Sequence, residues 1–345
     1  MTLFQVNVLN IGLMIASLGV ALVLPFELFL FSYAVLGPLH YLTEISWLHD
    51  RTYFLARRSQ AVPLVALTLL IALTSGMFFE LGTDSFSTAV LSWGPEFRFG
   101  ALALAGVFVL THSARTLRIG AAATAVAVVA AHYANEASKA ADSSGAFYSA
   151  YDLFFLLLLT TIIHVYVFTG AFVVLGALRS RSVSGFVSLG VFVACSVACF
   201  LVPVREISTL SDSAREAYDV SATMLNLVMA RAVDVDGMRT ADHVFSTPLG
   251  VMTARLIAYA YTYHYLNWFS KTSVIKWHDV PRARLASVVA IWLGSLGLYA
   301  WDFVTGLSLL FFLSMLHVLL EFPLNWRSFM DIGSELRARV SPARG

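Results

Sequence analysis

Apolar runs of about twenty residues recur along the whole 345-residue chain, and they limit its fold more than any other feature. Ten segments stand out, at roughly 6–23, 26–48, 62–80, 98–113, 118–134, 150–178, 183–203, 249–270, 284–302 and 305–325. Hydrocarbon offers no partner to a bare peptide group, so runs of this kind span as helices. The composition agrees: 59% of residues are hydrophobic and 12% charged, against about 25% charged in an ordinary soluble domain. The expectation is an all-α, polytopic integral membrane bundle, a single transmembrane domain over 1–345. Only Pro25 divides the first two segments, so one kinked helix and nine spans is the alternative. Met1–Asn7 lacks the basic region and cleavage site of a secretory signal, so the first run reads as a retained helix.

Loop charge favours ten. Arg51, Arg57 and Arg58 follow segment two, Arg115 and Arg118 follow four, and Arg179 and Arg181 follow six. Lys271, Lys276, Arg282 and Arg284 follow eight, and Arg327, Arg337, Arg339 and Arg344 follow ten. The alternate connections carry Glu80, Asp84, Glu96, Glu136, Asp142 and Asp302. Basic loops stay cytoplasmic, which places both termini there and sends even-numbered segments from outside to inside. A bacterial-type inner membrane, crossed many times, is the expected location. The long outer connection, 204–248, contains a mixed stretch from Asp212 to Arg231. It reads as an interfacial amphipathic helix on the outer leaflet or over a cavity, or more simply as a solvated loop helix. A net charge of +1 without a basic tract gives no reason to expect nucleic acid; membrane lipids are the expected surroundings. Cys195 and Cys199, four apart in one apolar run, read as small packing residues.

Against this background the ionisable residues inside the segments are conspicuous. His40 and Glu44 lie four apart in segment two, as do His317 and Glu321 in segment ten, so each pair shares a helix face. His164 and His264 interrupt segments six and eight. All six lie on even-numbered segments. His40 sits nine residues from His49 at the inner end, His264 seven from Lys271, and His317 eight from Asn325. At about 1.5 Å per residue these form one layer in the inner half of the membrane; His164, about fourteen residues from the end of the long sixth segment, joins it if that helix projects. A lone intramembrane histidine usually hydrogen-bonds to a neighbouring helix. Four at one depth with two carboxylates in register suit a metal, because such groups are costly in lipid unless ligated or paired. His40, His164, His264 and His317, with Glu44 and Glu321, suit two irons, or one iron held by four imidazoles with the glutamates orienting ring N–H groups.

Other candidates surround this set. His49 beside Asp50 offers an outer ligand or a proton path, and His112 lies at similar depth on segment four. His132, His243 and His278 read as solvated or interfacial. Tyr261 is on the His264 face and suits a catalytic hydrogen bond, and Asn267 one turn further suits a substrate or cofactor contact. Arg255 needs a partner, for which Asp152 or Asp302 is available.

Gly37-Pro38-Leu39-His40 and the stretch His264-Tyr265-Leu266-Asn267-Trp268-Phe269-Ser270, set in this architecture, resemble the membrane-embedded non-haem iron enzymes of lipid and isoprenoid metabolism. The nearest in style are the β-carotene-cleaving oxygenases called Brp/Blh. The chain departs from their pattern in having no Gly-x-x-Asp after His40, and Trp at 268 where a His-x-x-x-His would place its second ligand. The resemblance implies intramembrane histidines, iron and a lipophilic, isoprenoid-like substrate. Four functions follow from the residues: an iron oxygenase or desaturase-type oxidoreductase, a bis-histidine haem b protein passing electrons to quinone, a zinc-dependent lipid hydrolase, and a proton-coupled transporter. An oxidoreductase of this kind would need an external electron donor protein, since no flavin or nicotinamide motif is present.

Overall fold

The computed structural model describes residues 1–75, 92–111, 113–142, 148–205, 210–234, 238 and 240–340. Among them the regular elements are helices, without a strand. They are α1 (Leu3–Val23), α2 (Pro25–Asp50), α3 (Ala61–Leu73), α4 (Gly94–Leu110), α5 (Ala114–Ala141), α6 (Ala150–Ser180), α7 (Val183–Leu201), α8 (212–231), α9 (Asp242–Ser246), α10 (Pro248–Ser270), α11 (Arg282–Trp301) and α12 (Phe303–Val340). Each of the ten expected segments corresponds to a helix among α1–α7 and α10–α12. Seven are long and apolar enough to cross a membrane: α1, α2, α5, α6, α7, α11 and α12. The helices α3 and α4 have 13 and 17 residues and are shorter, while α10 has the length, 23 residues, but a polar sequence. Leu24, at φ −130° and ψ 60°, leaves helical space between α1 and α2, and Pro25 starts the next helix where its missing N–H costs nothing. The first two segments are therefore separate helices. The last helix runs on to Val340, through Pro323.

The chain divides into two compact units, Met1–Thr43 with Ile162–Leu307 and Met330–Gly345, and Glu44–Thr161 with Ser308–Phe329. The first is built around α10. Helices α1, α2, α7, α8 and α9 all pack against it, and 17 of its 23 residues are buried. Its polar groups are met from several sides: Thr262 Oγ1 lies 2.7 Å from Ser32 Oγ, and Tyr263 donates to Asn10 Oδ1 at 3.2 Å. Arg255 donates to Val202 O at 2.7 Å and Leu22 O at 3.1 Å. These carbonyls terminate α7 and α1, where unpaired C=O groups and the helix dipole concentrate negative charge. Neither expected acid is its partner. Asp152 accepts from Asn135 Nδ2 at 2.8 Å, and Asp302 accepts from Thr305 N at 2.7 Å to start α12.

The stretch expected as an interfacial helix forms α8, capped by Ser211, and turns one face into unit one. Tyr218 is fully buried between Phe26 and Phe245, at 4.8 and 5.8 Å between ring centroids. Asn226 Nδ2 donates to Tyr218 Oη and to Gly250 O, both at 3.1 Å. Gly250 has no room for a side chain, since a Cβ there would sit 2.4 Å from Val244 O. Cys195 and Cys199 are free and buried, in keeping with a packing role.

In the second unit α4 packs on α3 and α5. Gly106 lets the Trp326 indole lie flush against α4, where Trp326 Nε1 donates to Leu102 O at 2.9 Å. His132 differs from its expected solvated position. It is buried, stacked on Trp93 at 3.9 Å, with Nδ1 3.5 Å from Glu96 Oε1. Trp93 and the buried Glu96 on α4 shield a ring that spacing alone put near the surface. His278 is exposed and His243 partly so, its Nδ1 accepting from Thr240 N.

Hydrogen bonds from a charged donor each contribute about 1.5–3 kcal/mol. Replacing Arg255 by Met removes two such bonds and therefore lowers stability by about 3–6 kcal/mol, read as the midpoint of thermal unfolding in detergent. Lys, which cannot reach two carbonyls in a fork, falls between Met and the parent.

Candidate metal centre

Four histidines lie in the interior, His40 at 1%, His164 at 2%, His264 at 7% and His317 at 5% exposure. One ring nitrogen from each lies within 4.8 Å of all the others. This is the set the sequence singled out, brought together by α2, α6, α10 and α12. The group consists of imidazoles alone; the carboxylates of Glu44 and Glu321, both buried, are not among its ligand atoms.

Two of the contributing helices depart from α geometry. Ser32–Leu36 in α2 and Leu153–Phe168 in α6 are π-helical, the second for 16 residues. A π turn closes on i+5 and so changes which face later side chains occupy; such turns frequently mark functional sites. His40 follows the first stretch and His164 lies within the second. Five residues beyond His164, one π repeat, is Thr169.

Thr169 Oγ1 is 2.7 Å from His264 Nδ1, and His264 Nε2 is 3.0 Å from His40 Nε2. If Nε2 gives its lone pair to a metal, the ring proton resides on Nδ1 and is donated to Thr169, which fixes tautomer and ring plane together. The His40 and His264 rings meet edge to face at 4.6 Å between centroids, His164 and His264 at 5.0 Å. Trp268 stands edge-on to His40 at 5.5 Å and is held by Nε1 donating to Thr43 Oγ1 at 3.0 Å. Tyr265 packs 5.1 Å from the His40 ring, and its hydroxyl occupies the space beside Gly37.

The spacing narrows the coordination geometry. With metal–nitrogen bonds of about 2.0–2.1 Å, two imidazoles at a right angle sit about 2.9 Å apart and at a tetrahedral angle about 3.4 Å apart. The 3.0 Å between His40 Nε2 and His264 Nε2 is a hydrogen-bond distance and also lies within the span of two ligands on one ion. No two ligands on such an ion can be farther apart than about 4.2 Å, so any pair at the 4.8 Å limit must draw in by at least about 0.6 Å to share one ion.

The remaining candidates separate. Tyr261 is buried in an aromatic cluster with Phe29 at 5.1 Å, Tyr33 at 6.2 Å and Tyr265 at 6.2 Å. Asn267 accepts from Tyr263 Oη at 3.4 Å and lines a cavity at the end of α10. His49 Nδ1 is 3.0 Å from Tyr53 Oη and is not one of the four. His112 lies outside the described residues. Thr169, Tyr265 and Trp268 were not singled out as site residues. Tyr265 and Trp268 sit one and four residues from His264, and Trp268 was read as a departure from a His-x-x-x-His pattern. Only the π geometry of α6, invisible in the residue pattern, would have drawn attention to Thr169.

No protein-family model matches the chain, and neither does a curated protein or a solved structure.

Groups that orient a metal-bound histidine are worth about 10–100-fold in metal affinity. Thr169→Val should weaken metal binding by that factor in a chelator competition, while Thr169→Ser retains it. Equal affinities in the two variants would remove Thr169 from the site.

Proposed function

We propose that the protein is a membrane-embedded oxidoreductase that holds one iron ion through His40, His164, His264 and His317 and acts on a lipophilic substrate. The observation that carries this reading is the convergence of four buried imidazoles. Neutral imidazole suits iron, copper and zinc. His40, His164, His264 and His317 would hold the ion, and four neutral imidazoles suit iron. A catalytic zinc takes three protein ligands in a near-tetrahedral set. A haem between His40 and His264 would hold their nitrogens roughly 4 Å apart, an ångström more than the 3.0 Å observed.

Charge supports the same assignment. A dication in a nonpolar interior is costly unless countered, and four imidazoles bring no charge. Glu44 and Glu321, each four residues after a ligand and each buried, are the carboxylates that could balance such a charge. In this reading they do not ligate, which makes the ion mononuclear. Bound iron would supply oxidative chemistry with O₂. The chain's own residues position the imidazoles, exclude water and present an apolar surround to a substrate arriving from the bilayer. Electrons would come from a separate donor protein. A ten-span topology with cytoplasmic termini, in a bacterial-type inner membrane, completes the proposal, and the Brp/Blh-like stretches at His40 and His264 support the substrate class.

Elemental analysis and an absorption spectrum of detergent-purified protein test it. About one iron per chain without a Soret band is expected, and His40→Ala or His264→Ala should abolish iron binding while leaving the helical circular dichroism unchanged. Zinc in place of iron would shift the reading to a hydrolase, and a Soret band to an electron carrier. A chain that binds no metal would leave a proton-relay transporter.

A further inference from the structure

A second polar site lies in the first unit, where α1 and α7 begin and α6 and α10 end. A cavity of about 280 Å³ opens there, just under the roughly 300–1,000 Å³ of ordinary ligand pockets. Lys271 and Arg179 line it, with Asn7, Asn10, Tyr263 and Asn267, and no carboxylate is among the lining residues. The amide and phenol groups Asn7, Asn10, Tyr263 and Asn267 are already engaged. Asn10 Nδ2 donates to Val6 O at 2.8 Å, and Asn10 Oδ1 accepts from Tyr263 Oη and Ser270 Oγ, each at 3.2 Å. Asn7 Nδ2 donates to Ser184 Oγ at 2.9 Å. Arg179 is paired with Asp331 at 2.6 Å. Lys271 is the cation left over: no carboxylate of the described residues pairs with it, and the rigid amide wall beside it offers no anion. Burial pushes its ammonium down to about 8, which leaves it charged at neutral pH. The other wall is apolar, formed by Leu3, Val6, Phe172 and Val173.

We infer that this cavity binds the anionic headgroup of an amphiphile, with the head's charge on Lys271 and the first methylenes of its chain against Leu3, Val6 and Phe172. A lysine at a helix C-terminus also favours the helix dipole, but that role calls for neither a cavity nor an apolar wall. The inference stands on the cavity and needs no metal.

The test is binding of defined probes to the full-length protein in a neutral maltoside detergent, by native mass spectrometry and calorimetry. Palmitate and hexadecanol differ only at the head, and phosphatidylglycerol and inorganic phosphate separate a lipid from a free anion. Palmitate or phosphatidylglycerol should bind at least tenfold tighter than hexadecanol. Whichever is the tighter assigns the head as carboxylate or phosphodiester. Lys271→Gln should lose about tenfold for the charged probes alone, and Lys271→Arg should keep the affinity. Gly176→Phe, placed where an added Cβ meets nothing within 4 Å, should fill the cavity and abolish binding of the charged probes. Iron content should be unchanged in all three variants, which separates failure here from failure of the metal site. Equal binding of palmitate and hexadecanol, unchanged affinity in Lys271→Gln, or inorganic phosphate binding as tightly as the lipid would each overturn the inference.

Discussion

A helix too polar for lipid has to be enclosed by protein, and much of the first unit follows from that requirement on α10. Its Tyr, Thr, His, Asn and Arg side chains would each leave unsatisfied groups in hydrocarbon. Five other helices cover it, and their polar atoms are spent on it: Ser32 on Thr262, Asn10 on Tyr263, the closing carbonyls of α1 and α7 on Arg255. The same enclosure buries His264, where a metal would be shielded from water. Structure and site thus share one cause. The neighbouring helices enclose α10, and the polar helix among them carries His264.

Much of this was legible in the residues, for a physical reason. The apolar runs became helices, seven of them among the described residues long and apolar enough to cross a membrane, because length and hydropathy are local properties. The four histidines were legible because ionisable residues in such runs are too costly to be incidental, and equal depth on parallel helices suggests convergence. Depth, however, is a single coordinate. It could not tell ligand from neighbour, so His49, offered as an outer ligand or a proton path, sits beside Tyr53 and is not one of the four. Tyr261 follows an ideal-helix stripe and lies among Phe29, Tyr33 and Tyr265, while Tyr265, one residue past His264, packs on His40.

The unforeseen partners have one origin. Arg255 was matched to acids, since charge is what a sequence displays; its partners are backbone carbonyls exposed by helix ends, and those exist only once α1 and α7 have stopped where they do. His132 was placed near the surface by its depth, and Trp93 and Glu96 bury it. Thr169 reaches His264 from a helix wound differently from its neighbours. In each case the deciding contact comes from the path of the backbone, which no count of side-chain types reports.

The π-helical stretches make side-chain placement in this chain a matter of phase. An α-helix advances by about 100° per residue, so one residue more or fewer within Ser32–Leu36 would swing His40 about a quarter of a turn around its axis while leaving every apolar run intact. The membrane would accept either chain equally. The bundle therefore tolerates exchange of one aliphatic residue for another far better than any change in residue count upstream of a ligand, and its insertions and deletions belong in the connections between helices.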